Sequence, residues 1–506
     1  MSATSKEIKN KYEVVVIGGG IGGLVAATIL AKNGLSVAVL EKNNYTGGVL
    51  SSFEKDGCIF DNFGTYIYGA GFAEPMNFLR QTFSLIGINP EILPVEPPMQ
   101  VFTPDKSLTL YRDKKEFLRE LNEYFPSFRR EINEFYSELE ELYEILLEIP
   151  HYRPMGRFSV LKTAIFHPHL SEKLIWNSFN TLNSLYKKFG FSEELKSIFS
   201  NIVAHFTLLK PYEVPAFIAA YFLIGIHREG LYYTKGTNAN LIKEIVKEAQ
   251  SSGVSIFTDS EVKEIFVSNN YARGVILSTD RVIHADRVIS NTTAYRTFTK
   301  LIDRKYLSDN VRHSYDVIEN ADSFFYLYLK TEKETIKHLK SPNILYIPKL
   351  SESYDKSGIV RIFVPSMLDS SLVRGRSHHN VIISTPQDIP EWKDKRHAEK
   401  KKEAITEKLL NILNNIIPGI REGSTVVKIN SPCEIEEITG REGGTFGRKM
   451  DFRQGLYNRG GNKAALENLY LAGDSTFPGQ GIAMAAYSGK LCAELIIRER
   501  GKKLPI

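Results

Sequence analysis

The stretch 12–52 constrains the fold more than any other, because each of its local features serves the same ligand chemistry. Residues 13–17 (EVVVI) form the apolar, β-branched run that a parallel strand buried on both faces requires, and they lead straight into Gly18-Gly19-Gly20-Ile21-Gly22-Gly23. Strand, glycine-rich turn and helix follow in that order. Within the turn, Gly18-x-Gly20-x-x-Gly23 provides a tight bend, room for a pyrophosphate against the backbone, and close packing of helix on strand. The helix N-terminus adds free N–H groups and the positive end of a dipole. Gly34 stands where a glycine closes such a helix. Residues 36–40 are the second strand, and Glu41 at its tip is placed to accept from ribose hydroxyls while repelling a 2′-phosphate, which disfavours NADP. The expected ligand is the adenosine diphosphate half of a dinucleotide. The turn by itself leaves NAD and FAD open.

A chain of 506 residues, 42% hydrophobic and 11% aromatic, can bury a large core divided among several domains. The net charge of +5 suits contact with an anionic membrane surface and is too small for a nucleic-acid footprint, so no nucleic acid is expected. Cys58, Cys433 and Cys492 are isolated and odd in number, which argues against a disulfide framework or a zinc site and for a reducing, cytoplasmic compartment. No metal is expected. The leader MSATSKEIKNK has neither an apolar core nor an arginine-rich amphipathic pattern, so it does not read as a targeting peptide. The longest apolar run, 214–226, has 13 residues and is too short to span a bilayer, leaving peripheral contact as the form any membrane association takes.

Residues 52–61 read as a hairpin turning at Asp56-Gly57. Gly47-Gly48 gives the backbone room beside the same pyrophosphate. After proline-bearing connectors around 94–98, a helical pattern covers 114–149 with a break at Pro126, its charged face that of an exposed amphipathic pair. The stretch 151–230 is helix-like and rich in aromatics, among them Tyr152, Phe158, Phe166, Trp176, Phe179, Tyr186, Phe206, Phe217 and Tyr221. Such a region can wall an apolar tunnel, or dock on a bilayer through Arg157, Lys162 and their aromatic neighbours. His151, His167 and His169 lack metal-ligand spacing. A turn at 232–238 launches a helix over 239–249. Short strands at 254–257, 261–266, 272–278 and 281–283 then form a small meander, and 285–291 returns to the parallel sheet. Further strands are expected at 324–329, 359–364 and 380–384, with a helix over 399–416.

Near the end, a strand at 468–471 runs into Ala472-Gly473-Asp474-Ser475-Thr476-Phe477-Pro478-Gly479-Gln480-Gly481 and a helix beginning at Ile482. A ligand with two anchor points explains this second glycine-rich junction. Asp474 is placed to accept from a sugar-alcohol hydroxyl, and the helix dipole at Gly481 to stabilise negative charge on a ring as it is reduced. Those are the needs of FAD.

Together these motifs resemble the FAD-dependent phytoene desaturase and carotenoid isomerase family. The run from Gly473 to Gly481 is most similar to its prolycopene isomerase branch. Smaller echoes are Lys235-Gly236-Thr237-Asn238, Pro365-Ser366-x-x-Asp369 with Gly375, and Thr439-Gly440 with Gly443-Gly444-x-x-Gly447. Departures are Val49, where many relatives carry Arg or Ser, and Arg374, where a Pro often precedes the glycine. The resemblance implies an α/β chain with a Rossmann-like FAD-binding domain, a two-part FAD site, and an inserted α+β substrate domain. The FAD domain would comprise 1–75, 235–299 and 431–506, the substrate domain a helix-rich 76–234 and a strand-containing 300–430. FAD would lie against Gly18, Gly20, Gly23, Glu41, Gly48, the backbone of Val262, and Asp474. Their neighbours Ile21, Gly22, Lys42, Gly47, Gly473, Gly479, Gly481 and Ile482 complete the cofactor-binding set.

A bound flavin carries the hard chemistry, which accounts for the lack of any Ser/His/Asp set or carboxylate pair and leaves the catalytic residues unassigned. The resemblance implies a long hydrophobic polyene or polyprenoid substrate and, most of all, cis–trans isomerisation by reduced flavin. Desaturation or saturation of such a chain is the rival within enzymes. A prenyl-binding escort without redox chemistry is the rival outside them, and completeness of both FAD ends, Glu41 and Asp474, argues against it. An amine oxidase would share the N-terminal motif, but the region before Asp474 lacks an aromatic cage for an amine.

Overall fold

The computed structural model describes residues 7–71, 77–148, 177, 180–316, 321–350, 359–375, 377–442, 444–451 and 459–501. The fingerprint strand Lys11–Ile17 lies inside a seven-stranded sheet, paired in parallel with Val37–Leu40 on one side and Val282–Ser290 on the other. Ser255–Phe257 extends the parallel edge beyond Val37–Leu40, so the 254–257 segment joins this sheet and not the meander. The last meander strand expected at 281–283 and the return strand expected at 285–291 are one continuous strand, Val282–Ser290. Its first part pairs antiparallel with Tyr271–Leu277 and its last part, on the same edge, in parallel with Leu469–Leu471. The exposed His284 and Asp286 break the apolar pattern where the strand is half-solvated. From Val288 on it is flanked on both sides and uniformly buried.

A second seven-stranded sheet runs Ser424–Asn430, Ser323–Glu332, His378–Gln387, Val360–Phe363, Asn343–Tyr346, Met99–Phe102, Ser107–Leu110. The helix-rich stretch thus also supplies strands: Met99–Phe102 pairs in parallel with Asn343–Tyr346 across more than 200 residues of chain. Ile92–Val95, Leu231–Thr234 and Ile67–Tyr68 make a third, three-stranded sheet. The hairpin forms as its turn chemistry requires, Ser52–Lys55 against Cys58–Asp61, with Asp56 and Gly57 at φ 53° and 74°.

The helical pattern breaks at Pro126 into Lys114–Tyr124 and Arg129–Glu148. Asp113 caps the first through its side chain, accepting from Lys115 N at 2.8 Å. The apolar run 214–226 forms most of the helix Ala216–Arg228, whose residues from Ala216 to His227 are all buried. No helix among the described residues is long and apolar enough to cross a membrane. Tyr152, Phe158, Phe166, Trp176 and Phe179, with Arg157, Lys162, His151, His167 and His169, lie outside the described residues.

The helix Ile21–Lys32 is buried over ten consecutive residues because the sheet covers one side and the last helix, Ile482–Glu499, the other. Gly34 ends it at φ 84°, its N–H reaching Ala31 O and that of Leu35 reaching Leu30 O.

Candidate functional site

Both glycine-rich junctions open onto one cavity of about 1860 Å³, part of it continuous with solvent. The first is lined by Gly18, Gly20, Ile21 and Gly22, with Glu41, Lys42, Gly47 and Gly48 beside them. The second is lined by Gly473, Asp474, Gly481 and Ile482, and Val262 also lines the cavity. Gly23 and Gly479 stand behind the lining. A Cβ on Gly23 would sit 2.7 Å from the carbonyl oxygen of Gly18, so this glycine serves the closeness of helix to strand. Gly479 faces Met450.

The two helices that point into the cavity begin at Gly20 and Gly481, and neither N-terminus carries a side-chain cap. Their first N–H groups are left for a ligand, and both dipoles present positive ends to the same space. Glu41 is buried, with Oε2 accepting from Gly19 N at 2.8 Å and Oε1 from Asn43 N at 2.9 Å. A carboxylate has about four lone-pair directions, so these bonds orient Glu41 and leave capacity for a diol. Gly47 closes the turn from below, donating to Gly19 O at 2.8 Å from a left-handed conformation, φ 113°, that a side chain would resist. Lys42 turns its Nζ to the carbonyl of Glu437 at 3.0 Å; burial, then Arg296, lowers its pKa against the opposing pull of Glu41.

Asp474 is held by Arg441, which local sequence reading passes over, and by Gly447 of the last family echo. Arg441 grips it bidentately, Nη2 to Oδ1 at 2.7 Å and Nη1 to Oδ2 at 2.9 Å, and Gly447 N donates to Oδ2 at 3.0 Å. Burial alone would raise its pKa. The Arg441 charge and hydrogen bonds, with Arg459 behind, outweigh that and keep the carboxyl ionised, below its ordinary value. One acceptor direction on Oδ1 remains for a hydroxyl. Asn291 is the other such residue. It ends the strand Val282–Ser290, donates from Nδ2 to Ala472 O at 2.8 Å and, through its backbone N–H, to Ile17 O at 2.9 Å. A Cβ on Gly20 would lie 2.7 Å from its Oδ1 and one on Gly473 the same distance from its Nδ2, so Asn291 joins both junctions.

Beyond this end the cavity changes character. Phe206 and Phe222 stack at 4.8 Å and 3°, and Tyr68 meets Tyr221 edge-on at 4.9 Å. Phe206 and Tyr221 are thus cavity walls, whereas Phe217 and Tyr186 are core residues away from the lining. Against Phe206 pack Tyr66 and His205, with Arg361 on Tyr66, three lining residues from three separate segments with no motif to join them.

The residues present fit a flavin dinucleotide: two uncapped helix starts for the pyrophosphate and ring, and an oriented acid with spare acceptor capacity at each end. The family described as flavin containing amine oxidoreductase matches residues 21–497. "Prolycopene isomerase, chloroplastic" of Daucus carota is 29% identical over 98% of this chain and 82% of its own. A 4,4'-diapophytoene desaturase of Methylomonas is 25% identical over 96% and 95%. An oxidoreductase from Methanosarcina mazei superposes with a TM-score of 0.66 at 20% identity, covering 95% of this chain and 99% of that one, and shares the fold. With that match running from the first helix to the last, over a fold that brings those two helices to a single cavity, the chain belongs to the flavin containing amine oxidoreductase family.

Proposed function

We propose that this chain holds FAD between its two glycine-rich junctions and isomerises cis double bonds in a long, conjugated, carotenoid-type polyene. The observation that carries this reading is the continuity of one cavity from Glu41, past Asp474 and Gly481, into the aromatic arm of Tyr68, Phe206, Tyr221 and Phe222. Gly18, Gly20, Glu41, Gly48 and Val262 would hold the adenosine and pyrophosphate, and Asp474, Gly481 and Ile482 the ribityl chain and ring edge. When bound and reduced, a flavin supplies electron density that a conjugated chain accepts and returns. The protein's own part is to orient the chain with flat aromatic walls and to exclude water. Likeness to prolycopene isomerases over nearly the whole chain supports isomerisation over desaturation, and likeness to diapophytoene desaturases supports desaturation as the second reading. Amine chemistry has less support, since the arm offers stacked hydrocarbon rings and, among its described lining residues, no carboxylate to receive an ammonium.

Two of the three cysteines are buried and none is paired, which suits a reducing compartment such as the cytoplasm. A substrate this apolar is drawn from a bilayer. Exposed Tyr212 beside Lys210 offers one amphipathic tip for peripheral contact. The test is to load the protein with FAD, reduce it without oxygen, add a poly-cis carotenoid and separate the isomers. Conversion to the trans form is expected. An unchanged isomer mixture with full flavin occupancy overturns isomerisation, and appearance of additional double bonds under an electron acceptor favours the desaturase.

A further inference from the structure

An apolar chain of carbon and hydrogen calls for apolar walls, yet the cavity holds a guanidinium and an imidazole just where its aromatic arm begins. Arg361 donates from Nη2 to the Tyr66 hydroxyl at 3.0 Å, and its charge lies 4.6 Å from the centre of the Phe324 ring and 5.9 Å from that of Tyr66. Among the described residues it forms no ion pair, and its buried Nε has no hydrogen-bond partner. His205 is 3% exposed and stacks on Tyr66 at 5.3 Å and 10°. Neither of its ring nitrogens has a partner among the described residues. Burial, then the Arg361 charge, holds it neutral, so it retains one N–H to donate.

Buried polar groups are ordinarily satisfied, and a buried cation without a counter-charge is costly. Here the half-buried Arg361 keeps its Nε and the buried His205 both ring nitrogens without a partner among the described residues, while the Tyr66 hydroxyl between them is engaged, accepting from Arg361 and donating to His205 O at 3.4 Å. Packing does not require them, since leucine and phenylalanine would fill the same volume without that cost. We propose that Arg361 and His205, positioned by Tyr66 between them, form a seat for an acceptor oxygen on the substrate, so that the chain prefers a conjugated polyene bearing a carboxylate or carbonyl over the bare hydrocarbon. The proposal rests on the polyene reading above and adds to it the polar group that the substrate carries. Arg361 provides charge and a forked pair of donors suited to a carboxylate. The neutral His205 provides one donor, enough for a carbonyl.

The test titrates flavin-loaded protein with three conjugated polyenes of equal length, ending in a methyl, an aldehyde and a carboxylate, and reads the dissociation constant from the polyene absorption band. The carboxylate is expected to bind about tenfold or more tighter than the methyl-ended chain, with the aldehyde between. Arg361→Met abolishes that preference and Arg361→Lys keeps it for the carboxylate in part. His205→Phe, which preserves the stack on Tyr66, lowers it for the aldehyde. Flavin content and melting temperature establish that each variant is folded, and the wild-type comparison stands without any of them. Equal affinity for the three ligands, or a preference unchanged in Arg361→Met, overturns the seat and leaves the polyene reading in place. Failure of all three to bind flavin-loaded protein overturns both.

Discussion

Gly22 on the first helix and Gly489 on the last are packed backbone to backbone: a Cβ placed on Gly489 would lie 2.2 Å from the carbonyl oxygen of Gly22. The reverse clash is nearly as tight, since a Cβ on Gly22 would sit 2.9 Å from both Ala485 O and Gly473 N. Two helix starts separated by most of the chain reach one cavity because nothing stands between their axes at this crossing. Gly489→Ala should therefore cost about 3 kcal/mol through overpacking against backbone that has nowhere to move. It should also lower the flavin retained on purification. Gly460→Ala, with no atom within 4 Å of the added methyl, serves as the comparison and should stay within about 0.5 kcal/mol of the parent in urea denaturation. Equal stability of the two variants would contradict the crossing.

The pair of Arg441 and Asp474 is buried on both sides, with side chains 17% and 11% exposed. Removing one partner leaves the other's charge uncompensated in a space that water reaches poorly. Asp474→Ala should thus destabilise the flavin-free protein by about 3–5 kcal/mol. Asp474→Asn, which retains an acceptor for Gly447 N, should lose less. Chemical denaturation of the two apo-proteins checks the order. A finding that Ala and Asn are equally mild would mean that Arg441 has another counter-charge.

Glu41 serves the fold and the ligand space at once. Its two hydrogen bonds come from backbone N–H groups, Gly19 of the first glycine turn on one oxygen and Asn43 on the other, and Glu41 lines the cavity. Glu41→Gln keeps one acceptor oxygen, so one of the two backbone N–H groups loses its acceptor and the apo-protein should lose about 1–3 kcal/mol in urea denaturation. FAD affinity should fall about tenfold or more, as expected when a charged acceptor for hydroxyls becomes a neutral one. Equilibrium dialysis of FAD measures it, and an unchanged affinity would remove Glu41 from the ribose.

Those local units were legible because their chemistry is contained in a few consecutive residues. The Gly18 turn between strand and helix, the Asp56-Gly57 hairpin, the Gly34 helix end and the Pro126 break each carry their own signal and take the form that signal describes. What escaped is what only topology assembles. Asn291 matters because a parallel strand delivers it between two glycine turns that lie far apart in the chain. Arg441 follows a weak loop motif and acquires meaning from Asp474, 33 residues on. Met99–Phe102 is four residues long and finds its parallel partner at Asn343–Tyr346, so no period within it could announce the sheet. Tyr66, His205 and Arg361 come from a loop, a helix and a strand, and none carries a local signal that joins it to the others.

Asp61 gives the protein a pH dependence whose sign can be worked out. It ends the hairpin strand Cys58–Asp61 and is 1% exposed, accepting from the Tyr233 hydroxyl at 2.6 Å and from Asn238 N, at the start of the helix Asn238–Ser251, at 2.8 Å. Burial pushes its carboxyl up to about 7, the two hydrogen bonds opposing, from an ordinary value of 3.8. Between those limits the native state binds a proton that the unfolded state releases. Stability therefore falls as pH rises from about 4 through about 7 and is level above that, the total amounting to about 4 kcal/mol. Asp61→Asn removes the titration while its carbonyl still accepts from Asn238 N and its amide donates to the Tyr233 oxygen. Relative to wild type, the variant should gain about 3 kcal/mol in unfolding free energy on going from about pH 5 to about pH 8. Urea unfolding of both proteins at the two pH values decides it, and parallel changes in the two would show that Asp61 is charged in the native state throughout.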